Sequence, residues 1–159
     1  AGTRLHHAYV GGLLHHTVSM TKLAAAMGST IGDVDMDLII AGALLHDVGK
    51  IREISGEIGF PYTTEGRLMG HISIGAMAVD RAARKIPEIS PELRQKLLHI
   101  LLSHHGDQEK GSPVPCATKE AFIVHYADEV DSVMNQFHQK ERPDSWEFDK
   151  MLQRYLYKA

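Results

Sequence analysis

Apolar positions along the chain recur at helical spacing in a series of separate stretches. The first runs from about Leu5 to Met27, where Leu13, Met20, Leu23 and Met27 form a stripe that Gly28 closes. The second, "DMDLIIAGALLHDVGK" from Asp35 to Lys50, opens on acidic residues and stops at Gly49. It is apolar on every side between Leu38 and Leu45, as in an enclosed central helix. Three glycines and a proline in "REISGEIGFPYTTEGR", residues 52 to 67, predict a loop, and a third helix follows from about Leu68 to Lys85. The stretch "SPELRQKLLHILLSHHG" predicts a fourth, with Ser90 as cap, Pro91 in the first turn and Gly106 as stop. Its stripe of Leu93, Leu97 and Ile100 ends on His104. After Gly111, Pro113 and Pro115, Thr118 is placed to cap a long helix reaching about Lys140. The tail from Ser145 to Tyr157 reads as one more amphipathic helix. No stretch shows sustained strand alternation and no internal repeat or low-complexity tract interrupts the pattern, so the expected fold is all-α.

Polar residues stand where this pattern calls for apolar ones. His16 lies on the first stripe, His46 and Asp47 in the second helix, and His71, His104 and Asp128 on the next three. Burying such groups unpaired costs several kcal/mol each, on the order of what a small domain can lose before unfolding. A divalent metal is the economical compensation. Four imidazoles and two carboxylates exceed one tetrahedral shell but suit two ions sharing a bridging carboxylate, for which Asp47 is the natural choice. Imidazole and carboxylate ligands are compatible with Mn, Fe, Co, Ni or Zn, and Mg is a further option.

Neighbouring positions extend the candidate site. Lys50 follows Asp47 by three residues and His46 by four, so it shares their side and can hold a phosphate oxygen; Asp47 and Lys50 are the candidate catalytic pair. Arg67, four before His71, can do likewise. His105 adjoins a proposed ligand and His125 is three before Asp128, so each backs a ligand or faces the substrate. Asp131, one turn past Asp128, is placed to orient a ligand or water. His6, His7, His15, His99 and His138 are read as surface residues or residues with local partners, Cys116 as incidental, and the methionines as core filler.

Composition narrows the setting. A length of 159 residues suits one domain with its own core. Seventeen basic against twenty acidic residues exclude a broad basic field, so a polyanionic partner must be gripped locally. A single cysteine excludes an internal disulfide and suits the cytoplasm. No apolar run is long enough to span a membrane, and none is preceded by a leader-like charged segment. Eleven histidines are many for such a chain, and the positions above give them a use.

At this point the residues resemble a known family, the HD-domain metal-dependent phosphohydrolases. The order H, HD, H, HH, D is met by His16, His46–Asp47, His71, His104–His105 and Asp128. The phrases "HHAYVGGLLHHT", "GALLHDVGKIRE", "YTTEGRLMGHI" and "SHHGDQEKGSPVPCATKEAFIVHYAD" are similar, more narrowly, to the HD domain of bacterial 3′-to-5′ exoribonucleases that carry an OB-fold ahead of it. The resemblance implies an HD-domain helical bundle with a metal centre between its core helices, Mn²⁺ as the working ion, and removal of nucleotides from 3′ ends of RNA or single-stranded DNA. Only fifteen residues precede His16, so any OB-fold is expected on a longer chain from which this domain is excised. The cyclic-dinucleotide branch has a GYP signature after its paired histidines, where this chain reads "HHGDQEKGSP". Two further enzymatic readings are a nucleotide phosphomonoesterase and a cyclic-nucleotide phosphodiesterase. A reading of another class is a regulatory module that binds nucleotide or metal without turnover.

Overall fold

The computed structural model describes residues 10–57, 59–138, 145–150 and 152–158. His6, His7, the expected helix start near Leu5, its counterpart end near Lys140 and the His138 side chain lie outside them. The described elements are α1 (Gly12–Ile31), α2 (Met36–Leu45), α3 (Lys50–Glu53), α4 (Thr64–Ala83), α5 (Pro91–Ser103), a 3₁₀ turn at Gln108–Lys110, α6 (Lys119–His138), and the strands β1 (Ser145–Asp149) and β2 (Arg154–Lys158).

Helix α1 buries His16, Met20, Ala24 and Gly28, spaced four apart as on one helical face. Gly28 does not end it. The helix runs on to Ile31, and Gly32 (φ 69°) closes it by donating its N–H to the Gly28 carbonyl. Gly28 is there for space: a Cβ would stand 2.8 Å from Ile39 Cδ1 and from Met36 Sδ, so α1 and α2 could not approach as they do. Gly42 on α2 likewise meets Ile100 of α5, at 2.8 Å from its would-be Cβ. These contacts close a core of Met20, Ala24, Leu38, Ile39, Ile100, Leu101 and Val124, drawn from α1, α2, α5 and α6.

Helix α2 starts where expected, with Asp35 accepting the Leu38 N–H at 3.0 Å. It is shorter and less enclosed than its composition suggests. Leu44 is 49% exposed, and the helix stops at Leu45 instead of reaching Gly49. Residues 46–49 form a turn before the single turn of α3. The His46–Asp47 pair therefore sits at a corner, where successive residues are free of the 100° helical step.

Helix α4 begins at Thr64, four residues before the predicted start, because Thr63 caps it by accepting the Gly66 N–H at 2.9 Å. Gly70 breaks its run with φ 69° and ψ 153°, immediately ahead of His71. The α5 and α6 starts follow the sequence signals: Ser90 Oγ accepts from Leu93 N–H at 3.1 Å, and Thr118 Oγ1 from Ala121 N–H at 3.2 Å.

The tail is the clearest departure. It forms an antiparallel hairpin instead of a helix, pairing Trp146 with Tyr157 and Phe148 with Tyr155. Both ring pairs have centroids 5.2 Å apart. Aromatic residues alternating with polar ones favour a pleated ribbon over a helix, and their cross-strand pairs hold the register. The domain is otherwise helical, and none of the described helices is long and apolar enough to cross a membrane.

Candidate metal centre

His16 of α1, His46 and Asp47 of the corner between α2 and α3, His71 of α4, His104 at the end of α5 and Asp128 of α6 come together in space. The rings of His16, His46, His104, His105 and His71 follow one another with neighbouring centroids 4.3 to 5.3 Å apart. His16, His46 and His104 are no more than 1% exposed and Asp47 is 3% exposed.

Local backbone geometry fixes each group. Gly49 lies so close to α4 that a Cβ there would stand 1.9 Å from the His71 carbonyl oxygen, which brings the Asp47 corner onto His71. Helix α5 ends at Ser103, and His104 (φ −63°, ψ −22°) and His105, on the turn that follows, both reach the cluster. Gly106 (φ +86°) completes that turn against the His125 ring, 2.6 Å from its would-be Cβ.

The tautomers follow from the partners. Nδ1 of His16 meets Asp131 Oδ2 at 2.7 Å, that of His46 the Ala43 carbonyl at 2.8 Å, and that of His104 the Leu101 carbonyl at 2.7 Å. Nδ1 of His105 meets the Lys110 carbonyl at 3.0 Å, and that of His71 meets Glu53 Oε1 at 3.1 Å. All five acceptors are oxygens that carry no proton, so each Nδ1 must donate, and in the neutral ring each Nε2 presents a lone pair. Those lone pairs converge. Nε2 of His16 stands 3.2 Å from Nε2 of His46 and 3.2 Å from Asp128 Oδ1. Two acceptors at that separation repel unless a proton or a cation lies between them.

Asp47 spans two such groups. Its Oδ2 faces Nε2 of His46 at 3.5 Å and of His16 at 3.7 Å. Its Oδ1 faces Nε2 of His71 at 3.4 Å and of His104 at 3.8 Å. The donor atoms of His16, His46 and Asp128 lie within 4.8 Å of one another, as do those of His71, His104 and His105. Nε2 of His71 and of His104 are buried with no hydrogen-bond partner. A divalent cation fits this donor set: imidazoles whose Nε2 atoms face inward, orphaned nitrogens among them, around aspartate carboxylates.

The electrostatics agree. Burial alone would raise the Asp47 carboxyl, but the Lys50 ammonium and His46 hold it well below the usual aspartate range. Asp128 is likewise kept ionised against burial by its bond from His16. Burial pushes His104 well down, with His46 and His105 adding to the effect, so it is neutral. Burial would also lower His16, but its bonds to Asp128 and Asp131 raise it, so a proton on Nε2 facing Asp128 competes with a cation for that position. Burial would lower Lys50, but Asp47 raises it, so the ammonium stays charged.

The remaining predicted residues are placed as follows. Lys50 Nζ lies 2.6 Å from Asp47 Oδ2, at the cluster. His105 stands with His71 and His104 as a donor, beyond the substrate-facing role read from its position. Asp131 backs His16, and His125 donates from Nδ1 to the His104 carbonyl at 2.8 Å, steadying the turn. The Arg67 guanidinium is stacked over Tyr62, 5.4 Å from the ring centroid. His99 Nε2 accepts the Ala117 N–H at 2.9 Å, His15 is exposed, and Cys116 Sγ donates to the Ser103 carbonyl.

One residue escaped the sequence reading. Glu53, assigned there to a loop, is 7% exposed and accepts both the backbone N–H of His71 at 2.9 Å and its Nδ1–H. Burial would raise its carboxyl, but those His71 bonds hold it below the usual glutamate value. Its spacing of three from Lys50 and six from Asp47 was the available signal, once α3 is recognised as helical.

Comparison with known proteins places this geometry. The chain is 47% identical over 135 residues to the 3′-5′ exoribonuclease YhaM of Bacillus subtilis (strain 168), covering 85% of this chain and 43% of that one. The chain thus spans less than half the length of that relative. Its fold is similar to that of the crystal structure of the L. monocytogenes phosphodiesterase PgpH HD domain, with a TM-score of 0.54 at 21% identity, over 81% of this chain and 69% of that one. Residues 8–133 match the HD domain family, and with the histidine and aspartate cluster in the family's order, the chain belongs to the HD domain phosphohydrolases.

Proposed function

We propose that this domain removes nucleotides from the 3′ end of single-stranded RNA by hydrolysing phosphodiester bonds at a two-ion centre, with Mn²⁺ as the working metal. The observation that carries it is Asp47, whose two carboxylate oxygens face two separate groups of histidine nitrogens. His16, His46 and Asp128 would hold one ion, His71, His104 and His105 the other, and Asp47 both. The relative named as a 3′-5′ exoribonuclease supports the choice of substrate. Bound divalent metal supplies acidified water and neutralises charge on phosphate oxygens.

The chain's own residues do the rest. Asp131 and Glu53 keep Nε2 of His16 and His71 available as lone pairs. Lys50, held charged beside Asp47, orients a non-bridging phosphate oxygen and offsets its charge. Arg67, stacked on Tyr62 at the start of α4, is the more distant phosphate contact. The cytoplasm is the setting proposed for this activity, where the lone Cys116 thiol is stable.

The test replaces Asp47 with Ala and measures metal content together with cleavage of a short 5′-labelled RNA in Mn²⁺, beside a panel of 5′-mononucleotides and a cyclic dinucleotide. Loss of metal and of stepwise RNA shortening is expected. Unchanged metal content and activity would remove the assignment, and turnover of the mononucleotides alone would replace the exonuclease with a phosphomonoesterase.

A further inference from the structure

We propose that Glu53 is the positioning residue of the His71–His104–His105 group, fixing the His71 ring in the tautomer that can ligate an ion; this rests on the two-ion reading of the centre. A single oxygen, Oε1, takes both the His71 backbone N–H at 2.9 Å and the ring Nδ1–H at 3.1 Å. The paired bonds fix the ring's backbone and its rotation together. Nε2 is left facing Asp47 Oδ1 at 3.4 Å.

The backbone around this contact is shaped to make it. Gly70 has φ 69° and nothing within 4 Å of its would-be Cβ, so it is glycine for its conformation and not for space. That conformation breaks α4 and turns the His71 N–H toward Glu53. Glu53 is itself pinned. Its carbonyl accepts the Thr63 N–H at 2.9 Å, and a Cβ on Gly66 would come within 2.3 Å of the same oxygen.

The choice that Glu53 makes is between two uses of His71. With the proton on Nδ1, Nε2 offers a lone pair to a cation. With the proton on Nε2, the ring would donate to Asp47 Oδ1 instead and could ligate nothing there. Among the five clustered imidazoles, His46, His104 and His105 have Nδ1 on backbone carbonyls, while His16 has Asp131 and His71 has Glu53. Each half of the centre thus has one imidazole oriented by a side-chain carboxylate, and both of these carboxylates lie outside the H, HD, H, HH, D pattern.

The experiment uses the full chain and its Glu53→Ala, Glu53→Gln and Asp131→Asn variants. Long-range ¹H–¹⁵N NMR reads the His71 tautomer in metal-free protein, and electron paramagnetic resonance of free Mn²⁺ reads the affinity of each metal equivalent. Glu53→Ala is expected to move the His71 proton to Nε2 and weaken one Mn²⁺ equivalent by about 10–100-fold, leaving the other unchanged. Glu53→Gln, which keeps a neutral acceptor, should fall between, and it carries the test if the alanine variant does not fold. Asp131→Asn should weaken the opposite equivalent. A His71 proton that stays on Nδ1 in the Glu53 variants, or equal weakening of both equivalents, would overturn the assignment. If the wild type binds fewer than two Mn²⁺, the two-ion reading fails, and the tautomer measurement still decides the role of Glu53.

Discussion

Substituting Gly49 with alanine isolates the contact that sets the Asp47 corner against His71. Gly49 has φ −63° and ψ −22°, so alanine is allowed by the backbone and would gain up to about 1 kcal/mol of helical preference. Space is the obstacle. The new Cβ would stand 1.9 Å from the His71 carbonyl oxygen and 2.7 Å from the Gly75 nitrogen, where real Cβ atoms essentially never come within 3.0 Å. The corner must therefore retreat from α4 by about 1.1 Å, because neither obstructing atom can rotate aside. Overpacking of this kind costs about 1–3 kcal/mol, and backbone on both sides puts this case at the upper end, so strain outweighs the helical gain by about 2 kcal/mol. For a chain of this size that is a fall of roughly 4–8 °C in Tm. A displacement of about 1 Å between Asp47 and His71 should cost on the order of 100-fold in turnover. Differential scanning fluorimetry, Mn²⁺ titration and RNA cleavage would be run beside Gly56→Ala, a control with nothing within 4 Å of its Cβ. A Gly49→Ala protein with wild-type Tm and full Mn²⁺ affinity would refute the idea that this backbone contact sets the site.

Other outcomes follow from the same geometry. His104 has a folded pKa below the ordinary histidine value of 6.5, so its contribution is present above that pH and is lost as pH falls. Asp47 and Asp128 act in the same direction, contributing above the ordinary 3.8 and losing it as pH falls through their lower folded values. His16, raised in the fold, contributes below 6.5 and loses that contribution as pH rises through its folded value. Metal-free protein should therefore lose Tm from pH 6.5 down to 4 through His104, where the His16 contribution is already complete, and fall further below 3.8 through Asp47 and Asp128; a flat or rising Tm between 6.5 and 4 would contradict the burial argument. Gly106→Ala should cost at least 1 kcal/mol, since φ is +86° and a Cβ would meet the His125 ring at 2.6 Å. Adding His125→Ala should restore only the steric part of that loss in a urea double-mutant cycle. Chelation should lower Tm by an amount that grows with prior metal concentration, about 2.7 kcal/mol at 100-fold above Kd, and re-addition of Mn²⁺ should restore it. Trp146→Ala should loosen the hairpin by up to about 1 kcal/mol in hydrogen exchange of residues 145–158 while leaving Mn²⁺ affinity unchanged.

The parts legible in the sequence were those with a local physical cause. Ser90–Pro91 and Thr118 announce the starts of α5 and α6, because caps act on N–H groups two or three residues away. The cluster was legible because buried imidazoles and carboxylates violate helical patterning at His16, His46, Asp47, His71, His104 and Asp128. What was missed depends on contacts distant in sequence. Gly28 reads as a helix stop until Ile39 and Met36 are seen against it. Glu53 fell within the predicted loop, and only the break at Gly70 shows the His71 N–H brought to it. In the tail, leucines at 152 and 156 mimic helical spacing, while the aromatic pairing that decides for strands appears only after the chain folds back.

The way the ring nitrogens are anchored bears on how such a centre can change over generations. Oxygens from Ala43, Leu101 and Lys110 belong to the main chain, so no single codon change can delete the partners of His46, His104 and His105. The partners of His16 and His71 are side chains, and one nucleotide change reaches an amide or the other acid in either. Variation in the basicity of the centre is therefore open to selection at two addresses, one in each half, while the other three imidazoles are inherited along with the path of the backbone.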